Sequence, residues 1–170
     1  PYFTEDGVSR TLNLYDRIVR PYNLSLTSYS IESAGAGIGF GVPIGEIDTV
    51  QVGLAYDQTT ITNGDGIPLR YKTSDYVGNA IHSLPLTVGW ARDGRDSMLA
   101  PNKGTLYRLN AEVGVFGDTR YYKNSAQFQQ YWPLSRKYTF AVNAELGYGA
   151  GYAGKSFPLF KNYYSGGLGS

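Results

Sequence analysis

An alternation of apolar residues with polar or small ones, at a period of two, recurs along this 170-residue chain in segments long enough to cross a bilayer. The clearest segment runs from Tyr107 to Val115. Because successive side chains of a β-strand point to opposite sides, this segment has one apolar and one polar face. The polar face carries Arg108, Asn110 and Glu112. Such a segment fits either a half-buried strand of a soluble sheet or the wall of a membrane barrel.

Seven segments of this kind are predicted, with turn signals between them. The predicted strands are residues 8–20, 30–43, 48–60, 84–93, 107–115, 121–132 and 138–152. No apolar period of three to four residues persists, so essentially no helix is expected. Short links between most strands indicate an antiparallel up-and-down order. Long connections at 21–28, 63–83 and after 154 then fall on one side, an asymmetry typical of membrane barrels.

Composition favours a membrane wall over a soluble sheet. Charged residues make up 17% of the chain, below the roughly 25% of soluble domains, and there are 16 tyrosines. Tyr and Trp near strand ends, among them Tyr15, Trp90 and Trp132, are expected to form interfacial belts. The fold class predicted is all-β, an antiparallel up-and-down transmembrane β-barrel. A soluble ligand-binding β-barrel stays open as the alternative.

Glycines at alternate positions define the inward face of the second predicted strand: Gly35, Gly37, Gly39 and Gly41. They are not a dinucleotide loop, because position 40 is Phe and no helix follows. We expect the missing side chains to leave room for something packed against the inner wall. The other residues predicted to face the lumen are Arg108, Asn110, Glu112, Asn143 and Glu145.

The residues that carry chemistry point away from an enzyme. There is no cysteine, and the single histidine, His82, is predicted to be an ordinary surface residue just before a strand. Glu112 and Glu145 are predicted to lie on strands separated by another strand, so we expect each to pair with Arg108 or Lys123, or to contact water, rather than to pair with the other. A net charge of +1 without a basic stripe gives no reason to expect a nucleic-acid partner. We predict no catalytic, metal or cofactor site.

The most specific string is the run Gly89–Gly104. It describes a strand that ends in alternating charges, turns through Gly94 and restarts after a cluster of Pro, Asn and Gly. A hairpin with internal hydrogen bonds between Asp and Arg explains this composition. Its marked residues are Gly89, Trp90, Asp93, Arg95, Asp96, Pro101 and Gly104.

Together with the start Pro1–Ser9 and the end Phe160–Ser170, this run resembles the BamA family, the outer-membrane protein assembly factors of Gram-negative bacteria. The resemblance covers essentially the whole chain, in order. It implies that residues 1–170 are part of a sixteen-stranded outer-membrane barrel domain of the bacterial surface antigen type, without its POTRA domains or its first and last strands. It also implies that the residues after Gly154 form the stem of a loop inserted into the barrel, including Asn162, Tyr163, Gly166 and Gly167.

The function implied by the resemblance is the folding and insertion of other barrel proteins into the outer membrane, without a cofactor. The implied partners are outer-membrane lipids, unfolded outer-membrane protein clients and the accessory lipoproteins of the assembly complex. The alternatives are a sister barrel for translocation assembly or two-partner secretion and, less favoured, a porin. A bulky residue in place of Gly37 or Gly39 is expected to impair assembly. The isolated chain is not expected to form a stable monomeric barrel, because an open sheet leaves two unpaired edges.

Overall fold

The computed structural model describes residues 7–19, 30–62 and 78–163. They form a single antiparallel sheet whose strands follow chain order. The elements are β1 (Ser9–Val19), β2 (Ser30–Pro43), β3 (Asp48–Thr62), β4 (Ala80–Asp93), β5 (Gly104–Gly117), β6 (Tyr121–Pro133), β7 (Thr139–Gly151) and one turn of 3₁₀ helix, Leu159–Lys161. The predicted number, order and direction of the strands are confirmed. Among these residues, no helix is long and apolar enough to span a membrane.

The predicted strand ends needed correction around the long connection before β4. β4 begins at Ala80, so His82 lies within a strand rather than before one. The polar, glycine-containing stretch before it resembles a loop in sequence, which hid the start of the strand. His82 also has specific contacts: its Nδ1 lies 2.6 Å from the Tyr56 hydroxyl, and its backbone N–H donates to Asp118 Oδ2 at 2.8 Å. Most of the connections predicted at 21–28 and 63–83 lie outside the described residues.

Strand register sorts the side chains onto two faces. Gly37 on β2 lies opposite Asn13 on β1 and Ala55 on β3, so these residues share the face predicted to be inward, here called the lumenal face. The other, outer face carries large apolar side chains that the sheet leaves uncovered: Leu14 is 75% exposed, Leu109 49% and Leu146 75%. A continuous apolar surface of this extent suits the hydrocarbon of a bilayer rather than water.

The sheet is open. β1 and β7 stand at the two ends of the strand order, and no pairing joins them within the described residues. Lipid offers no hydrogen-bond partners to the backbone of an edge strand, so membrane sheets close into barrels. The seven strands are therefore one section of a barrel wall.

Candidate functional site

Residues 152–163, here called the inward segment, fold back from the end of β7 onto the lumenal face. Gly151 permits this return, because an added Cβ there would overlap the carbonyl oxygen of Lys155 and lie 2.8 Å from the backbone nitrogen of Phe157. The Tyr152 N–H donates to the Arg120 carbonyl at 3.0 Å, and the Lys155 N–H donates to the Tyr152 carbonyl at 3.2 Å. The segment is thus held at its root by backbone contacts that leave no space for a side chain.

Two aromatic rings of the inward segment lie directly over glycines of β7. A Cβ added at Gly147 would be 2.7 Å from carbons of the Tyr163 ring, and one at Gly149 would be 2.7 Å from the Phe157 ring. The Tyr163 hydroxyl also donates to the backbone carbonyl of Asn124 at 2.6 Å. On β7, therefore, the absence of side chains does make room for an inward segment.

On β2 the inward glycines have other neighbours. A Cβ at Gly39 would meet only Thr11 Cβ and the Val52 carbonyl oxygen, both at 3.8 Å, and one at Gly37 would lie 3.0 Å from Ala55 Cβ. The described part of the inward segment does not reach these positions. The expected effect of a bulky residue there remains a prediction. Gly41, the fourth glycine of the series, faces the hydroxyl of Ser9.

The ring that packs over Gly35 belongs to β1 rather than to the inward segment: it is the ring of Tyr15. A Cβ at Gly35 would lie 2.6 Å from Cζ of that ring, and the Tyr15 hydroxyl crosses β2 to donate to Asp57 Oδ1 on β3. Tyr15 therefore belongs to the lumenal face, and its expected place in an interfacial belt was wrong. The alternation of side chains along β1 explains its position, because Tyr15 lies opposite Gly35 in the register and residues opposite each other share a face.

Lys161, in the 3₁₀ turn, contacts carboxylates on two different strands. Its Nζ lies 3.4 Å from Asp57 Oδ2 on β3 and 3.0 Å from Glu112 Oε1 on β5. The three side chains are largely shielded, with exposed fractions of 21%, 11% and 25%. Each carboxylate also accepts a hydrogen bond from a tyrosine hydroxyl. Tyr15 donates to Asp57, and Tyr121 donates to Glu112 at 2.5 Å. These five residues are here called the lysine cluster.

The partner of Glu112 differs from the expectation. Its ion pair is with Lys161, whereas Arg108 donates to Gln127 at 3.2 Å. Lys123 does lie opposite Glu112 in the register, but its Nζ is 4.1 Å from the centroid of the Tyr163 ring. Sequence reasoning recognised that Glu112 faces the lumen, but it missed the lysine.

The second predicted acid is remote from the first. Glu145 lies opposite Gln127, and Glu112 opposite Lys123, four residues away along β6. Four residues of strand span about 13 Å, too far for a carboxylate pair that shares a proton. Gln127 also donates to Asn143 Oδ1 at 3.4 Å, which continues this row of polar side chains. Within the described ranges there is no group of three or more residues placed to hold a metal ion.

The hairpin between β4 and β5 has the predicted internal bonds. Arg95 donates to both carboxylate oxygens of Asp93, from Nε at 2.8 Å and from Nη2 at 2.6 Å. Asp96 Oδ1 accepts the backbone N–H groups of Asn102 at 2.9 Å and Lys103 at 3.1 Å. These bonds, that of Lys103 foremost, lower the pKa of Asp96 below its ordinary value.

The other marked hairpin residues shape the strands on either side. Gly104 has φ +110° and packs against the Gly94 backbone, so no other residue fits there without strain. Gly89 lies on the lumenal face, where a Cβ would be 2.9 Å from Asn110 Oδ1. Trp90 shares the outer face with Leu109, which it opposes. Pro101 lies within the turn itself.

The whole chain, residues 1–170, matches the Omp85 superfamily domain. The chain belongs to the Omp85 superfamily. It is 36% identical over 183 aligned positions to the outer membrane protein assembly factor BamA of Neisseria meningitidis serogroup B, covering 100% of this chain and 23% of that protein. It is 26% identical over 148 positions to BamA of Nitratidesulfovibrio vulgaris, covering 84% of this chain and 18% of that protein.

The fold agrees with these sequence relatives. The crystal structure of BamA from Haemophilus ducreyi lacking POTRA domains 1–3 matches with a TM-score of 0.80 and 25% identity, over 100% of this chain and 35% of that one. The resemblance to the BamA family is confirmed. The predicted location of the chain, the outer membrane, is confirmed as well. The chain spans less than a quarter of the length of these two sequence relatives.

Of the residues predicted for the loop stem, Asn162 and Tyr163 are in the inward segment, whose Tyr163 packs on the lumenal face. Gly166 and Gly167 lie outside the described residues.

Proposed function

We propose that this chain forms part of the membrane wall of an outer-membrane protein assembly factor, which folds client β-barrel proteins and inserts them into the outer membrane. One observation carries the proposal: similarity to BamA extends over 100% of the chain. The fold is consistent with it, since a membrane wall with a segment packed inside the lumen needs no catalytic centre. The proposed activity is a change in the folding and location of a client protein, with no covalent step.

As part of this proposal, residues 1–170 are the middle section of a larger barrel that follows POTRA domains. The exposed edges of β1 and β7 support it, because each strand needs a further neighbour in lipid. The share of the Neisseria relative that the chain covers, 23%, leaves ample length for additional strands and domains.

The proposed mechanism is strand addition at an open edge of the complete barrel. An unpaired strand edge presents N–H and C=O groups that template an incoming strand. The client pairs its backbone there and transfers its apolar side chains into lipid. Unfolded outer-membrane proteins, outer-membrane lipids and accessory lipoproteins are the partners proposed for the whole protein. This section contributes the lipid-facing surface, the lumen wall and the base of the inward segment.

The test is reconstitution of the full-length protein in lipid vesicles. An unfolded client barrel is added, and its folded form is measured by the shift that folded barrels show on unheated gels. Vesicles with an equal mass of a folded porin are the matched control. We expect folding to be faster with the full-length protein than with the porin, and equal rates would contradict the proposal. Export of a secreted passenger without client insertion would instead favour the sister transporter.

A further inference from the structure

The lysine cluster joins the inward segment to two strands that are not neighbours. Asp57 is on β3 and Glu112 on β5, with β4 between them. Adjacent strands are about 4.8 Å apart, so the two carboxylates start from backbones roughly 10 Å apart. The ammonium group of Lys161 bridges this interval with contacts at 3.4 and 3.0 Å.

The aim of the Lys161 side chain is set by the turn on which it lies. The Lys161 N–H donates to the Pro158 carbonyl at 3.0 Å and closes the turn. The neighbouring Phe160 packs against Ile61 and Ile81, a buried pair on β3 and β4. The backbone of the turn is therefore fixed by apolar packing on one side, and the lysine extends toward the carboxylates from that fixed point.

Two tyrosines also hold the carboxylates in place. The Tyr15 hydroxyl, which passes over Gly35, reaches Asp57, and Tyr121 reaches Glu112. Neutral phenols orient these acids but supply no opposing charge. Lys161 is the residue whose ammonium contacts both acids, so its loss removes the contact that joins Asp57 to Glu112 and leaves Lys123, opposite Glu112 in the register, as the nearby cation of Glu112 alone.

We propose that Lys161 is a positioning residue for the assembly reaction. Its two ion pairs fix the inward segment, residues 152–163, against β3 and β5 and so set the position of this segment on the lumenal face. A lysine suits this position because a compact ammonium can approach two carboxylates at one atom, whereas the guanidinium of arginine is a wider planar fork. The inference rests on the proposed function and adds to it a residue and an electrostatic contact.

The experiment uses the full-length protein in outer membranes, with Asn162→Cys as a reporter of whether the segment is docked. This chain contains no cysteine, so maleimide labelling within it reports that position alone. Labelling and client assembly are measured for Lys161→Glu, for the exchange variant Lys161→Glu with Glu112→Lys, and for Lys155→Glu. The last is the matched control, because it makes the same change of charge at an exposed lysine of the same segment.

We expect Lys161→Glu to raise the labelling rate about tenfold or more and to slow client assembly, because three carboxylates then repel one another. The exchange variant restores an opposite pair, so its rates should lie closer to the parent than to Lys161→Glu. Lys155→Glu should match the parent.

Unchanged labelling in Lys161→Glu would overturn the positioning role, and raised labelling with normal assembly would overturn its connection to the reaction. If Lys161→Glu does not give a folded barrel on unheated gels, Lys161→Met replaces it under the same criteria. A parent protein that does not assemble clients refutes the proposed function, while the labelling result still decides whether Lys161 positions the inward segment.

Discussion

Replacing Gly151 by alanine tests whether the inward segment depends on close backbone contact at its root. A Cβ at this position would overlap the Lys155 carbonyl oxygen and lie 2.8 Å from the Phe157 nitrogen. Both are backbone atoms, so no side-chain rotation relieves the overlap. The return turn has to move away from β7.

The expected cost follows from the contacts that such a movement breaks. The two backbone hydrogen bonds made by the N–H groups of Tyr152 and Lys155 contribute about 1 kcal/mol each. Loss of the edge-on packing of Phe157 against Tyr121, at 5.8 Å between centroids, adds about 1 kcal/mol. Alanine itself recovers about 0.5–1 kcal/mol, because glycine is unfavourable in a strand. The net loss is about 2 kcal/mol, which raises the undocked population roughly 30-fold.

Trypsin cleavage of the Lys161–Asn162 bond, in full-length protein that also carries Lys155→Gln to remove the exposed cleavage site of the same segment, measures that population in detergent. Lys161 is ion-paired and only 21% exposed when the segment is docked, so cleavage requires opening. When opening is fast relative to cleavage, the rate follows the open population, and we expect about a 30-fold increase. Gly39→Ala is the matched control, since its new Cβ finds only ordinary contacts at 3.8 Å. Equal cleavage rates for the two variants would refute the reasoning.

Three further outcomes are expected. Leu109→Lys puts a charge on the outer face and should cost about 2–4 kcal/mol near the bilayer centre, whereas Asn110→Lys, on the lumenal face, should be tolerated; the yield of heat-modifiable full-length barrel distinguishes them. Asp96 has a lowered pKa, so its carboxylate stabilises the hairpin above about pH 3.9, and this is lost as the pH falls through the lowered value. Asp96→Asn should remove this loss at low pH, measured as the pH dependence of amide hydrogen exchange at Asn102 and Lys103. The same pH dependence in the variant and the parent would contradict the role of the Asp96 carboxylate. The isolated 170-residue chain, refolded in detergent, should give no protease-resistant monomer, because β1 and β7 leave open edges.

Local pattern was enough to predict the strands and their faces. The period of two in β5 places Leu109 and Asn110 on opposite faces whatever lies beside them, because the backbone itself alternates. The charges of the β4–β5 hairpin were equally readable, since Asp93 and Arg95 are only two residues apart. The start of β4 was not, because its residues follow a stretch with loop-like composition.

The sequence by itself therefore determined seven antiparallel strands and which residues of each strand share a face, because the backbone of a strand alternates. Composition, rather than alternation, favoured a membrane wall over a soluble sheet. The tertiary structure alone decided what meets inside the lumen. Lys161 and Asp57 are 104 residues apart in the chain, and only the return of the inward segment across the lumenal face brings them together. It also decided which glycines matter: Gly147 and Gly149 accommodate rings of the inward segment, whereas Gly39 does not. Glycine spacing marks an uncovered strip of wall, but what covers that strip depends on where a distant segment folds.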